Sequence, residues 1–221
     1  MTVGPDEEAE RRASAYAARA LAAGDPTGWF EPLYSDGKGV PWDRGGPNPL
    51  LSGWPAPPAT AGATAVVVGA GLGYDAEYVA GLGYATTGFD ISPAAVARAR
   101  EIHPGSSVGY AVGDLLALPA AWRAAYDLVV EIHTVQALPD PLRVQAIAGV
   151  RSLVAPGGAL LVIAAGREPD DPLDPPPWPL TRAEVESFAR DGLVATGVED
   201  IRDVPRLGAR RFRATFRRAG P

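Results

Sequence analysis

The chain has 221 residues, room for one domain with a substantial core. Its 47% hydrophobic and 21% charged residues exclude wholesale disorder and fibrous classes. A formal net charge of −6 argues against nucleic acid or anionic lipid as a partner, and the absence of cysteine removes disulfides, thiolate metal sites and a thiol nucleophile.

In chain order, Asp6 to Ala23 lacks helix breakers and is rich in Ala, Glu and Arg, which predicts a helix. Its acidic, polar start has no signal-peptide core, and no apolar run reaches the length of a membrane span. A soluble, cytoplasmic protein without a membrane partner is expected. From Gly24 to Pro58 glycine, proline and aromatics dominate, leaving room for short helical turns only. The β-branched run Ala63 to Gly69 predicts a strand buried on both faces. Helix and strand then alternate: helix Asp75 to Leu82, strand Ala85 to Phe89, helix Pro93 to Ile102, strand Ser107 to Ala111, a short helix near Ala117 to Trp122, and strand Tyr126 to Ile132. Helix Pro141 to Leu153 runs into the turn Pro156-Gly157-Gly158, which opens strand Ala159 to Ala164. After a proline-dense connector, Thr181 to Arg190 reads as a helix with Thr181 and Glu184 spaced as a capping box. Strands at about Val194 to Val204 and Arg210 to Arg217 follow, joined by a loop containing Gly208. The expected fold is a doubly wound α/β architecture: a mostly parallel seven-stranded sheet with a C-terminal antiparallel hairpin at its edge. The arginines 206, 210, 211, 213, 217 and 218 read as a solvated, aggregation-blocking face of an edge strand.

The sharpest local feature is Gly69-Ala70-Gly71-Leu72-Gly73-Tyr74-Asp75, placed after the first buried strand and opening a helix. Glycine there lets the backbone turn tightly and come close to a ligand beside free helix-start amides. Asp90 ends the next strand, 90 − 69 = 21 residues on, where an acid that bonds ribose hydroxyls belongs; it is equally suited to cap the helix beginning at Pro93. A dinucleotide fingerprint would place its third glycine at position 74, which is Tyr74.

The G-x-G-x-G spacing resembles the first motif of class I S-adenosylmethionine (AdoMet) methyltransferases. Asp114-Leu115-Leu116 after Gly113 resembles that family's adenine-edge segment, Tyr126 to Val130 its fourth strand, and Pro156-Gly157-Gly158 the turn before its fifth. Asp114 reads otherwise as a loop acid. Pro41-Trp42-Asp43-Arg44-Gly45-Gly46-Pro47-Asn48-Pro49, with Trp29, Phe30 and Tyr34 before it, looks like the segment that folds over the cofactor in thiopurine and thiol methyltransferases and their tellurite-resistance relatives. The resemblance implies one methyltransferase domain over 1–221, with helix and lid in 1–58 and the catalytic core in 59–221. It implies AdoMet held by Trp42, Gly69, Ala70, Gly71, Gly73, Asp75, Asp90, Ile91, Asp114, Leu115, Leu116 and Glu131, and a methyl group passed to a small-molecule acceptor. The drug-metabolising members of that group carry arginine after the acid ending the fourth strand; here Ile132 follows Glu131, which argues against thiopurines.

Glu131 and His133 lie two apart at the end of a central strand, so an extended backbone would point them the same way. His133 is then a candidate general base that Glu131 orients, or else a polar loop residue, and the pair favours an oxygen or nitrogen acceptor over sulfur. Trp29, Phe30, Arg167 and Trp178 are candidate substrate contacts, and the aromatics serve equally as anchors for irregular segments. His103 reads as a helix C-terminal partner, and no metal is expected. A nicotinamide-dependent reductase, or a module that binds AdoMet without turnover, remain the alternatives.

Overall fold

Thr64–Val68 (β1) has no polar side to offer water, and all but its first residue are buried at the centre of a seven-stranded sheet. The computed structural model describes residues 5–172, 177–202 and 210–220. Around β1 the strands are Ala85–Asp90 (β2), Gly109–Val112 (β3), Tyr126–Ile132 (β4), Val154–Ala165 (β5), Leu193–Ile201 (β6) and Arg211–Arg218 (β7), in the order β3-β2-β1-β4-β5-β7-β6. β1 pairs in parallel with β2 on one side, Val66 opposite Thr87, and with β4 on the other, Val66 opposite Val129. β7 runs antiparallel to β5 and to β6. The chain therefore winds outward from β1 to β3, then crosses back to β4. Reversal of winding at β1 and β4 leaves a crevice above their carboxyl ends.

Alternation along each strand builds the two layers. Ala65 and Val67 pack with Ala76 and Val79 of Tyr74–Gly81 (α4) and with Val96 and Ala99 of Pro93–Ile102 (α5). Val66 and Val68 face the other way, into a cluster with Ile147 and Val150 of Leu142–Leu153 (α6) and Phe188. A third cluster joins Ala13 and Ala17 of Pro5–Ala22 (α1) to Trp29, Leu33, Tyr34, Leu72 and Ala95, so the N-terminal segment packs over the glycine loop. Between residues 24 and 58 the chain forms only the short helices Phe30–Ser35 (α2) and Pro49–Ser52 (α3), in keeping with its composition.

Several expected boundaries shift for local reasons. The helix near Ala117 to Trp122 is a 3-10 turn, Ala120–Trp122. Pro156-Gly157-Gly158 lies within β5 as an irregularity in the pairing with β4, Gly157 having φ +76°. The helix expected over Thr181 to Arg190 is Arg182–Glu186 (α7), and its capping box forms: the Thr181 hydroxyl accepts from Glu184 N while a Glu184 carboxylate oxygen accepts from Thr181 N. The C-terminal hairpin is present, but β6 is the edge and β7 lies inside, which corrects the reading of the arginine run as a solvated edge face. Arg213 pairs with Glu199 of β6 at 2.8 Å, Arg210 with Asp200 and Glu168, and Arg218 donates to the carbonyl oxygens of Asp191 and Arg151. The run thus stitches the hairpin to its neighbours. Val204, Arg206 and Gly208 lie outside the described residues.

Candidate active site

Above the carboxyl ends of β1, β2 and β4 the crevice becomes a cavity of about 480 Å³, roofed by Trp29, Phe30, Tyr34 and Trp42 and floored by residues 69–75. That volume is in the range of small-molecule sites. Its floor is shaped by glycine. Gly69, Gly71 and Gly73 have φ of +62°, +53° and +88°, a region that costs other residues about 1–2 kcal/mol. A Cβ on Gly69 would stand 2.3 Å from the Thr134 hydroxyl, and one on Gly71 2.8 Å from the Tyr34 hydroxyl.

The loop is held from below by Asp90. Its carboxylate is 6% exposed and accepts from Gly71 N at 2.9 Å through one oxygen and from Ser92 N at 3.0 Å through the other. Burial pushes its pKa up, and the backbone N–H groups of Ser92, Gly71 and Ile91 oppose that. Ser92, not Asp90, caps α5 with its side chain, accepting from Ala95 N at 3.1 Å. Ile91, Asp114, Leu115 and Leu116 line the adjoining wall. Asp114 spends one oxygen on Leu116 N at 2.8 Å, and among the described residues its second oxygen has no partner. Tyr74 takes the place a dinucleotide fold gives its third glycine, and its ring meets His103 edge-on at 5.1 Å. His103 in turn donates from Nε2 to the Leu72 carbonyl at 3.1 Å, so it braces the glycine loop as well as ending α5.

The roof is fastened to this floor. Trp42 Nε1 donates to the Tyr34 hydroxyl at 2.9 Å, and Asn48 N donates to Asp75 at 2.7 Å. Asp75, whose pKa burial raises, holds the lid as well as lining the cavity. Glu31 reaches the start of α5, accepting from Ser92 Oγ at 2.5 Å and from Ala94 N at 3.1 Å. Tyr34→Phe removes the acceptor for Trp42 and is expected to cost about 1 kcal/mol, weakening the binding of a ligand under the roof severalfold while leaving the core intact. Calorimetric affinity alongside a thermal melt would check it.

The end of β4 departs from the sequence expectation. His133 has φ +60°, so the strand stops at Ile132, and Glu131 and His133 do not share a face. Glu131 is fully buried and accepts from Thr134 N at 2.7 Å and Val135 N at 3.0 Å through one oxygen, while the other is unpartnered. Burial pushes its pKa up to about 7 against those two bonds. It shapes the turn after β4 and neither lines the cavity nor orients His133. His133 does line the cavity, beside Ile132 and Thr134, and its Nδ1 lies 3.1 Å from Gln136 Oε1. Burial lowers its pKa to about 4; Gln136 opposes that, and the charges of Arg211 and Arg44 add to it.

Two expected substrate contacts lie elsewhere. Arg167 turns to the Pro179 carbonyl and to Glu184 at 3.5 Å. Trp178 is stacked by Arg143, 5.9 Å from its ring, and its backbone N–H donates to Gln136. Both anchor the connector after β5 and are absent from the cavity wall. Sequence reasoning placed Tyr34 in the segment over the cofactor but missed Gln136, Thr134 and Arg211 as wall residues, for which the sequence carries no local signal. Among the described residues no group of three or more Asp, Glu or His could hold a metal, and no helix is long and apolar enough to cross a membrane.

Residues 65–158, from β1 to the glycines of β5, match the family model of a methyltransferase domain. The core is similar to a methyltransferase domain over that stretch. The ubiquinone biosynthesis O-methyltransferase of Xanthomonas campestris pv. campestris strain B100 is 33% identical over 138 residues, covering 58% of this chain and 57% of that protein. Its counterpart in Thiobacillus denitrificans is 34% identical over 137 residues, covering 61% and 53%. The chain thus spans little more than half the length of these curated relatives. Among solved structures, one from work on conversion of a disulfide bond into a thioacetal group during echinomycin biosynthesis aligns with TM-score 0.68 at 21% identity, over 87% of this chain and 91% of that one. The N-methyltransferase NodS from Bradyrhizobium japonicum WM9, in complex with S-adenosyl-L-homocysteine, aligns with TM-score 0.57 at 20% identity, over 71% and 78%. These two likenesses are of fold. The cavity lies over the β1, β2 and β4 ends of the matched stretch, with the lid as an N-terminal addition outside the matched residues.

Proposed function

We propose that this protein transfers a methyl group from AdoMet to a small-molecule oxygen or nitrogen nucleophile, within a single unit made of lid and core. The observation that carries it is one cavity bringing together the left-handed glycine loop, Asp90, Asp114 and His133 beneath aromatic rings. The residues present suit the cofactor. A carboxylate offers about four lone-pair sites, so Asp90 can hold both backbone N–H groups and still accept from ribose hydroxyls. Asp114 has an oxygen to spare for an adenine amino group, with Ile91 and Leu115 as apolar neighbours for the ring. Trp42, in the lid, offers the electron-rich face that attracts a sulfonium.

When bound, AdoMet supplies a methyl group already activated by its positive sulfur. The chain has then to position, to keep water out and to take up a proton. The lid serves the first two tasks, since orientation alone supplies several kcal/mol of a bimolecular barrier. His133 serves the third, receiving the proton of the acceptor. The Pro41–Pro49 segment supports kinship with thiopurine and thiol methyltransferases, while Ile132 and His133 favour a hydroxyl or amine over their sulfur acceptors. The O-methyltransferases among the relatives agree with that choice.

Titration with S-adenosylhomocysteine in a calorimeter, and radiolabelled transfer to panels of phenols, amines and thiols, test the reading. Saturable binding with transfer to a phenol or amine is expected; no heat on titration would overturn it. His133→Ala is expected to slow a hydroxyl or amine acceptor about 10²-fold or more, while a thiol of pKa about 8.5, partly ionised without help, loses far less. Initial rates with one acceptor of each kind decide.

A further inference from the structure

We infer that Gln136 is a positioning residue that fixes His133 in the tautomer protonated on Nδ1, so that Nε2 is the lone-pair nitrogen offered to the cavity. The argument begins with the Gln136 amide. Ala165 N lies 2.7 Å from one of its side-chain atoms. A backbone N–H can only donate, so that atom is oxygen whichever way the amide is drawn. The same oxygen stands 3.1 Å from His133 Nδ1, and an oxygen already accepting from Ala165 can offer the ring only another lone pair. Nδ1 therefore carries the proton, and in a neutral imidazole Nε2 then does not.

Gln136 is itself immobilised. It is 3% exposed, lies in the turn Val135–Ala137, and its carbonyl accepts from Trp178 N at 2.8 Å. One residue thus joins the turn after β4 to the end of β5 through its side chain and to the connector beyond it through its backbone carbonyl. The His133 backbone is equally fixed, its N–H donating to Ile163 at 2.9 Å, and the ring lines the cavity. Among the described residues nothing bonds to Nε2.

The charged groups facing this ring are Arg44 of the lid and Arg211 of β7, both of which disfavour a second proton on it. Burial first, and these two charges after it, keep His133 neutral across the physiological range. A neutral ring with its Nε2 lone pair toward the cavity can accept a hydrogen bond from a nucleophile, and this consequence rests on the methyltransfer reading; the tautomer itself does not.

Protein labelled with ¹⁵N-histidine offers a direct test, because two-bond proton–nitrogen spectra distinguish the two tautomers. The chain contains two histidines, and His103 donates from Nε2 to Leu72, so the two rings are expected to show opposite patterns in one spectrum. His133→Gln assigns the signals. In Gln136→Met, folded by its melting curve, the Nε2-protonated form of His133 is expected to rise severalfold. In Gln136→Glu a carboxylate at the same place favours the doubly protonated ring, and its titration midpoint is expected to move up by about 1 unit or more from about 4. A wild-type His133 protonated on Nε2, or with both tautomers comparable, overturns the inference even if neither variant folds; so does a folded Gln136→Met with an unchanged pattern. Failure to bind S-adenosylhomocysteine would defeat the proposed function and leave this result standing.

Discussion

Asp90→Ala is expected to raise the dissociation constant for S-adenosylhomocysteine at least about 100-fold, equivalent to about 2.7 kcal/mol. Two losses combine in that figure. The substitution strands Gly71 N and Ser92 N, both paired with the carboxylate and both enclosed, at about 1–3 kcal/mol for each unsatisfied group. It also removes the acceptor proposed for the ribose. Asp90→Asn is the informative control. The carboxylate meets one N–H with each oxygen, whereas an amide has one oxygen and one donor, so one of the two N–H groups must face another N–H. Asparagine is therefore expected to rescue little despite its identical shape. Binding by Asp90→Ala within threefold of wild type would show that the glycine loop holds its left-handed course without help.

Arg143→Ala is expected to destabilise the fold by about 1–2 kcal/mol, because it removes the nearer of the two cations paired with the half-buried Glu184 carboxylate, leaving Arg167 at 3.5 Å. Arg143 is 3% exposed, donates to Glu184 at 2.6 Å and to the Leu138 carbonyl at 3.1 Å, and stacks on Trp178. Adding Glu184→Gln to Arg143→Ala is expected to recover part of the loss by removing a charge left with only the longer Arg167 pairing. The pair also sets a pH dependence. Burial raises the Glu184 pKa, but the Thr181 N–H and hydroxyl together with Arg143 outweigh it, leaving the carboxyl below its ordinary value. A group depressed by folding stabilises the protein above its unfolded pKa of about 4.3, and that contribution fades as pH falls through the folded value. Denaturant melts from pH 7 to pH 3 should show a steeper loss in wild type than in Glu184→Gln. Parallel curves would mean that the network contributes nothing to stability.

Glu184 also marks how far the sequence could be read. Its spacing from Thr181 announces the capping box, a pattern closed within four residues, and the box forms. Its pairing with Arg143, 41 residues away, depends on how α6 and α7 lie on the sheet, and no local pattern carries that information. The glycine loop and Asp90 behave like the first case. A buried β-branched run, three glycines and an acid closing the next strand are short-range requirements, and they sit together in space. His133 behaves like the second. Alternation placed it beside Glu131, but alternation holds only while the strand continues, and one left-handed residue sends the imidazole to the cavity while Glu131 stays in the core. Gln136 was invisible for the same reason: its amide acts on Ala165, 29 residues on, across a strand pairing. Trp178 and Arg167 misled because aromatic and basic residues in a proline-rich connector look alike whether they meet a ligand or their own fold.

The roof deserves to be considered together with what it grips. Glu31 holds the first turn of α5, and Asn48 is held by Asp75 in the first turn of α4, the two helices whose starts flank the glycine loop. A cover hinged to its own vessel cannot lift without loosening the rim. Breaking Glu31 from Ala94 or Asn48 from Asp75 would loosen the cover and the helix end it grips together.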